Sequence, residues 1–128
     1  MEKFNIIMYE TEAGRLPVVD FLSSIKDDKL LAKIYRDIKL LEVSGNLLRE
    51  PYSKALNNGL FELRTKQGTN ISRIIYFFIV GNNIVLTNGF IKKTQKTPDS
   101  EIELAKKYRA DYERRKENLQ WEKILEKR

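Results

Sequence analysis

Between Gly89 and Pro98 the chain carries three lysines, Lys92, Lys93 and Lys96, two threonines and no acid. Ammonium and hydroxyl groups just ahead of a helix start form a good phosphate site, because the helix N-terminus adds N–H donors of its own. The same run also fits a solvated charged turn. A second set of candidates lies upstream. Glu62 and Arg64 alternate with Phe61 and Leu63, and Arg73 precedes the apolar run Ile74 to Val80. An arginine inside so apolar a stretch must meet an acid or border a cleft, since an unpaired buried charge is very costly. Glu62 is the acid within reach across neighbouring strands, paired with Arg73 or with Arg64. Such a structural pair is compatible with anion binding, because Glu62 can hold an arginine in place. Guanidinium stays protonated and grips a phosphate through two N–H groups, so Arg64 and Arg73 suit charge stabilisation. A lysine crowded by other cations loses proton affinity and becomes available for proton transfer, which singles out Lys92 and Lys93. Lys96 and Lys66 extend the set as substrate contacts. Tyr52, in a loop, and Tyr76, on a strand, are rings that can stack on bases, whereas Phe77 and Phe90 fit a core better.

The residue types that are missing narrow the chemistry further. The chain has no histidine and no cysteine. Zinc sites, serine–histidine triads, histidine bases and disulfides are thereby excluded. No tight acidic cluster stands outside the helical segments, so neither a metal nor another cofactor is expected. The longest apolar run is too short to cross a bilayer. Residues 1–10 hold two glutamates and no small-residue cleavage site, which does not suit a secretory signal. A cytoplasmic protein without membrane contact is expected.

The net charge is +6 over 128 residues, with 33% charged residues against 41% hydrophobic. Residues 1–58 balance nine Lys/Arg against nine Asp/Glu, so the whole excess lies in the second half. A basic excess gathered on one structural unit is the footprint of a polyanion partner.

The elements that must position these groups read as follows. Phe4 to Tyr9 is a short strand. Pro17 suits the first turn of a helix whose Val18, Phe21, Leu22 and Ile25 share one face. Asp27 and Asp28 open a second helix, about 29–43, with Leu30, Leu31, Ile34, Ile38 and Leu41 on its stripe. Gly45 stops it. Residues 47–58 read as a connecting loop. Three strands follow, 60–65, 71–80 and 83–92, joined by the hairpin turns at Gln67 to Asn70 and Gly81 to Asn83. Thr97 reads as the cap and Pro98 as the first residue of a closing helix, amphipathic through Ile102, Ala105, Tyr108 and Tyr112. A helical tail beyond 112 carries Trp121, Ile124 and Leu125, suited to packing on the domain or a partner. The expected fold is a single α+β domain, with two N-terminal helices on a mostly antiparallel four-stranded sheet and a C-terminal helix.

The segments Gly59 to Arg64, Arg73 to Phe77 and Gly89 to Pro98, in this order, resemble the phage-derived branch of the RelE/HigB toxin superfamily. Pro17 to Leu22 is similar to that family's opening helix, and Ala105 falls in its closing one. The resemblance covers roughly residues 4–112. It implies a toxin of a type II toxin–antitoxin system, a metal-independent endoribonuclease that cuts messenger RNA in the ribosomal A site. It also implies a helix-turn-helix antitoxin of the HigA type, with a heterotetramer around an antitoxin dimer as one assembly. Arg73 matches the family arginine that contacts the phosphate, Arg64 a basic position on the preceding strand, and Lys92 and Lys93 the basic residues after the last strand. The histidines of some HigB relatives and the C-terminal tyrosine of RelE have no obvious counterpart, so the general base stays open. The alternative is a non-catalytic basic module of phage origin that binds nucleic acid.

Overall fold

The computed structural model describes residues 3–92 and 96–126, the side chains of 119–123 apart. Strand β1 (Asn5–Met8) leads to helices α1 (Pro17–Ser24) and α2 (Asp28–Ser44) and a 3-10 turn (Gly45–Leu47). Strands β2 (Ser53–Ala55), β3 (Phe61–Gln67), β4 (Asn70–Ile79) and β5 (Asn83–Lys92) follow, and α3 (Asp99–Glu126) closes the chain.

The local chemistry accounts for these boundaries. Pro17 opens α1 without a side-chain cap. Asp27 caps α2 by accepting from Lys29 N at 3.0 Å and Leu30 N at 3.2 Å, which satisfies two of the first-turn donors. Gly45 ends α2 at φ +52° with the Phe4 ring against its Cα, where any Cβ would overlap the ring. The α3 backbone starts from the Pro98 carbonyl, which accepts from Ile102 N at 3.3 Å. Thr97, expected to cap this helix, gives its hydroxyl to Glu62 instead.

The sheet has five strands in the order β1-β5-β4-β3-β2. This corrects the expectation of four. β2 lies inside the supposed loop, three mostly polar residues too short to show alternation, and exists through its pairing with β3. The sheet is mixed, because β1 runs parallel to β5 while the other pairings are antiparallel. Helices α1 and α2 cover one face over Leu63, Ile74, Tyr76, Ile84 and Leu86. α3 covers part of the other face, where Leu60, Ile75, Phe77 and Val85 meet Ile102, Ala105, Tyr108 and Tyr112. β4 is thus buried on both sides, as its continuous apolar run requires.

One irregularity decides what faces where. Tyr76 pairs with Leu86 but Ile75 pairs with Asn88, so Thr87 is an extra residue in β5. Its hydroxyl is satisfied by the Ile75 carbonyl at 3.0 Å. Beyond this bulge the alternation of β5 is reversed. Asn88, Phe90 and Lys92 turn to the α3 face, and Gly89 turns to α1, where the Phe21 ring occupies the place of a Cβ.

A cationic end of the sheet as candidate anion site

The α3 face is apolar at one end only. At the other, cross-strand pairing lines up successive rows in which polar side chains outnumber apolar ones. Lys54, Glu62, Ile75 and Asn88 form one row, Arg64, Arg73 and Phe90 the next, and Lys66, Ile71 and Lys92 the last. Glu62 and Arg73 are buried, at 0% and 1% exposure. Arg73 Nη1 donates to Glu62 Oε1, and the Thr97 hydroxyl donates to Oε2, so both carboxylate oxygens are engaged. Arg64 Nε stands 3.8 Å from Glu62 Oε1 and its Nη1 4.0 Å from Glu50 Oε1, with the side chain 23% exposed. The expected pair therefore forms, and it recruits both arginines.

Lys92 is buried at 3% exposure, and its Nζ has no hydrogen-bond partner among the described residues. Burial, then the neighbouring Arg73 guanidinium, pull its pKa below the ordinary lysine value, and Lys54 and Arg64 act in the same direction against Glu62. Four cations thus surround one carboxylate. Such an excess is relieved by an incoming anion. Lys54 and Lys96, both exposed, line a cleft of about 370 Å³ together with Thr97. Arg64 and Lys66 line another of about 270 Å³ with Tyr52.

These placements sort the expected site residues. Arg64, Lys66, Lys96 and Tyr52 reach solvent-facing clefts. Arg73 and Lys92 lie beneath them, both buried, and neither side chain lines these clefts. Lys93 and the Trp121 side chain lie outside the described residues. Tyr76 is corrected. Its ring is 1% exposed on the α1–α2 face, it stacks on Phe61, and its hydroxyl shares a 2.5 Å hydrogen bond with Ser53 Oγ. A ring so enclosed has no face to offer a base. Lys54 and Thr97 were missed as site residues, since their roles depend on β2 pairing and on the turn into α3. Among the described residues no group of three or more His, Cys, Asp or Glu is arranged to hold a metal ion. No described helix is long and apolar enough to cross a membrane.

The molecule is a small basic α+β protein with cations gathered at one end of its sheet, the electrostatic footprint expected of a polyanion partner. Residues 20–110, well over half of the sequence, match the family of phage-derived Gp49-like proteins (DUF891), and the chain belongs to that family. This family stands in the context of the RelE/HigB-like toxins. No curated protein matches the chain.

Proposed function

We propose that this protein is the toxin of a type II toxin–antitoxin pair, of the HigB-like kind, and that it cleaves messenger RNA in the ribosomal A site. The observation that carries the reading is the set of four cations around the single carboxylate of Glu62, opening to solvent through Arg64. Family membership is compatible with a toxin-like protein.

The chemistry that suits these groups is attack of an RNA 2′-OH on the adjacent phosphorus. The O–P bond that forms closes a cyclic phosphate, and the P–O bond that breaks releases a 5′-OH. A base takes the 2′ proton, an acid supplies one to the leaving oxygen, and cations hold the charge on the phosphorane. Arg64 supplies the exposed guanidinium, with Lys54, Lys66 and Lys96 flanking it. Lys92, its proton affinity lowered by burial and by Arg73, lies beneath the cleft and is suited to relaying a proton from there rather than to touching the substrate. Lys93 is the neighbouring candidate. Arg73 and Glu62 keep Arg64 and the cationic field in place. No metal or other cofactor enters this scheme. Orientation of the message falls to the ribosome, because so small a surface cannot supply that entropy alone.

A growth-arresting protein needs a silencing partner, and a HigA-like helix-turn-helix antitoxin in the cytoplasm fills that role. It docks on the helices away from the cationic sheet end and excludes the toxin from the A site by bulk, in a heterotetramer around an antitoxin dimer.

The test is expression of the chain without an antitoxin. Growth should stop, toeprints of a translating message should show breaks at the A site, and Arg64→Ala should restore growth. Binding to ribosomes without any breaks would favour the non-catalytic module instead. Equal cleavage of naked RNA by nuclease-free protein would remove the ribosome requirement.

A further inference from the structure

One buried acid has no part in the site above. Helix α2 buries Leu30, Ile34, Asp37 and Leu41. Asp37 is 1% exposed, and a carboxylate there is costly unless its oxygens are occupied. Thr65 Oγ1 donates to Oδ2 at 2.8 Å, and Arg36 Nε donates to Oδ1 at 3.0 Å. Arg36 itself remains 60% exposed along its side chain. The helix thus uses a core position to fix the direction of a surface guanidinium, which reduces the ordering needed when that guanidinium binds something.

Tyr52 stands beside this arginine and is held from the sheet. Its carbonyl accepts from the Arg64 N–H at 2.8 Å, and its own N–H donates to the Arg49 carbonyl at 3.0 Å. Its side chain remains exposed. Two depressions share Arg36 and Tyr52 as walls. One, of about 270 Å³, continues to Arg64 and Lys66; the other, of about 480 Å³, continues to Lys39, Leu40 and Val43. Four cations line the joined groove, and its one carboxylate, Asp37, is already engaged. Two acids stand at the margin, Glu50 at 4.0 Å from Arg64 and Glu42 at 3.2 Å from Lys39.

We infer that this groove is a second subsite for single-stranded RNA, in which a base stacks on Tyr52, Arg36 and Lys39 meet a flanking phosphate, and the strand continues past Lys66 to Arg64. The inference rests on the reading that Arg64 faces RNA. An exposed ring set among cations matches single-stranded nucleic acid, which offers a stackable face and a phosphate at every step. The excess of cations on the groove walls favours it over a protein segment.

The experiment is a fluorescence-anisotropy titration of the full chain with a labelled 2′-O-methyl RNA of about ten nucleotides, within the usual site size for such surfaces. The 2′-O-methyl group prevents cleavage, so affinity is read alone. Tyr52→Ala should weaken binding about tenfold, the scale of one lost base stack, while Tyr52→Phe should bind like the parent. Arg36→Gln should reduce the slope of log affinity against log salt by about 0.7, one phosphate contact to a single strand. Lys39→Ala should reduce it similarly and leaves the Asp37 pair intact, which covers the case of a poorly folded Arg36 variant. If Arg64→Ala weakens binding while Tyr52→Ala and Lys39→Ala do not, the second subsite is wrong and the reading that Arg64 faces RNA stands. A groove that serves a protein partner would give this result. If Arg64→Ala also has no effect, both fall.

Discussion

Two clusters of arginine and carboxylate sit on the α3 side of the molecule, and they are built differently. Around Asp111 the charges are close to balanced and near water. Asp111 accepts from the Tyr9 hydroxyl at 2.5 Å, Arg114 at 2.8 Å and Arg115 at 3.0 Å, and Glu12 takes Arg114 at 2.6 Å. Arg115 also lies over the Tyr9 ring, which stacks on Tyr108. These contacts tie the middle of α3 to the segment after β1, and nothing in them calls for a further ion. Around Glu62 the charges are unbalanced: Glu62, Arg73 and Lys92 are buried, Arg64 is partly exposed and Lys54 exposed, and a further carboxylate, Glu50, stands 4.0 Å from Arg64 at the surface. Charge balance together with burial therefore separates a clasp from a site. A clasp is complete as it stands, whereas the proposed function requires the Glu62 cluster to become more stable when an anion arrives.

The largest effect expected is on stability. Arg73→Ala removes the buried hydrogen-bonded partner of Glu62 Oε1 and leaves a cavity in its place, at a cost of about 3–5 kcal/mol. Urea unfolding measures it, and a loss near zero would mean that the pair is not buried in solution. Toxicity lost in Arg73→Ala therefore reports on folding first. Arg64→Ala gives the cleaner functional test. Its side chain is partly exposed, and removing a charge-assisted phosphate contact should lower cleavage by about 1.5–3 kcal/mol, roughly ten- to hundredfold. Unfolding of the same variant should shift by less than about 1 kcal/mol. Single-turnover cleavage on programmed ribosomes and a denaturation curve give the two numbers, and comparable losses in both would erase the distinction drawn above.

Lys92→Met sharpens the comparison from the other side. It removes a desolvated amine beside Arg73, so stability should rise by about 1 kcal/mol while activity falls. The pH dependence carries the same sign. The folded pKa of Lys92 is lowered, so its charged form disfavours the fold. Its contribution to stability improves as pH rises through that lowered value toward the ordinary lysine value of 10.5.

The smallest effects belong to the clasp. Asp111→Asn should cost about 0.5–1 kcal/mol and leave cleavage unchanged. The hydrogen bond from Tyr9 is the main cause holding the Asp111 carboxyl below its ordinary value of 3.8. Its stabilisation is present above that value and lost as pH falls through the folded one. Tyr9 is pushed up from 10.0 to about 12 by burial and by Asp111. Its contribution is complete below pH 10 and lost as pH rises toward 12. Ultraviolet titration of Tyr9 in the parent and in Asp111→Asn tests this, and an unchanged midpoint would remove Asp111 as a cause.

Much of the scaffold was legible from local chemistry. Pro17, Asp27 and Gly45 mark helix boundaries through backbone rules that act within a few residues. The alternation of Phe61 to Arg64 and of Arg73 to Phe78 separates the two faces of β3 and β4, so the meeting of Glu62 with Arg73 and Arg64 follows from sequence once these strands pair. Asp37 stands at helical spacing between Ile34 and Leu41, yet the expected stripe of α2 ran through apolar residues alone and left this acid out. That signal was present, and its partners Thr65 and Arg36 became visible only with the sheet beside it.

Other features depended on contacts between distant segments. β2 has too few residues for a period, and its three pairings with β3 bring Lys54 opposite Glu62. Alternation puts Tyr76 on the face of Ile74 and Phe78, opposite Arg73, and its loss to the core follows from α1 and α2 closing over that face. Thr97 has the chemistry of a cap, and Glu62 across the turn takes its hydroxyl. The bulge at Thr87 is the clearest case. Simple alternation from Val85, which packs under α3, would turn Lys92 toward α1 and away from Arg73. The extra residue reverses the count and brings the lysine to the arginines. Sequence by itself determined which segments are strands and helices, β2 excepted, and that cations are concentrated in the second half, because propensity, capping and composition are local. Tertiary structure alone decided which cations share a face, because one inserted residue inverts every side chain beyond it.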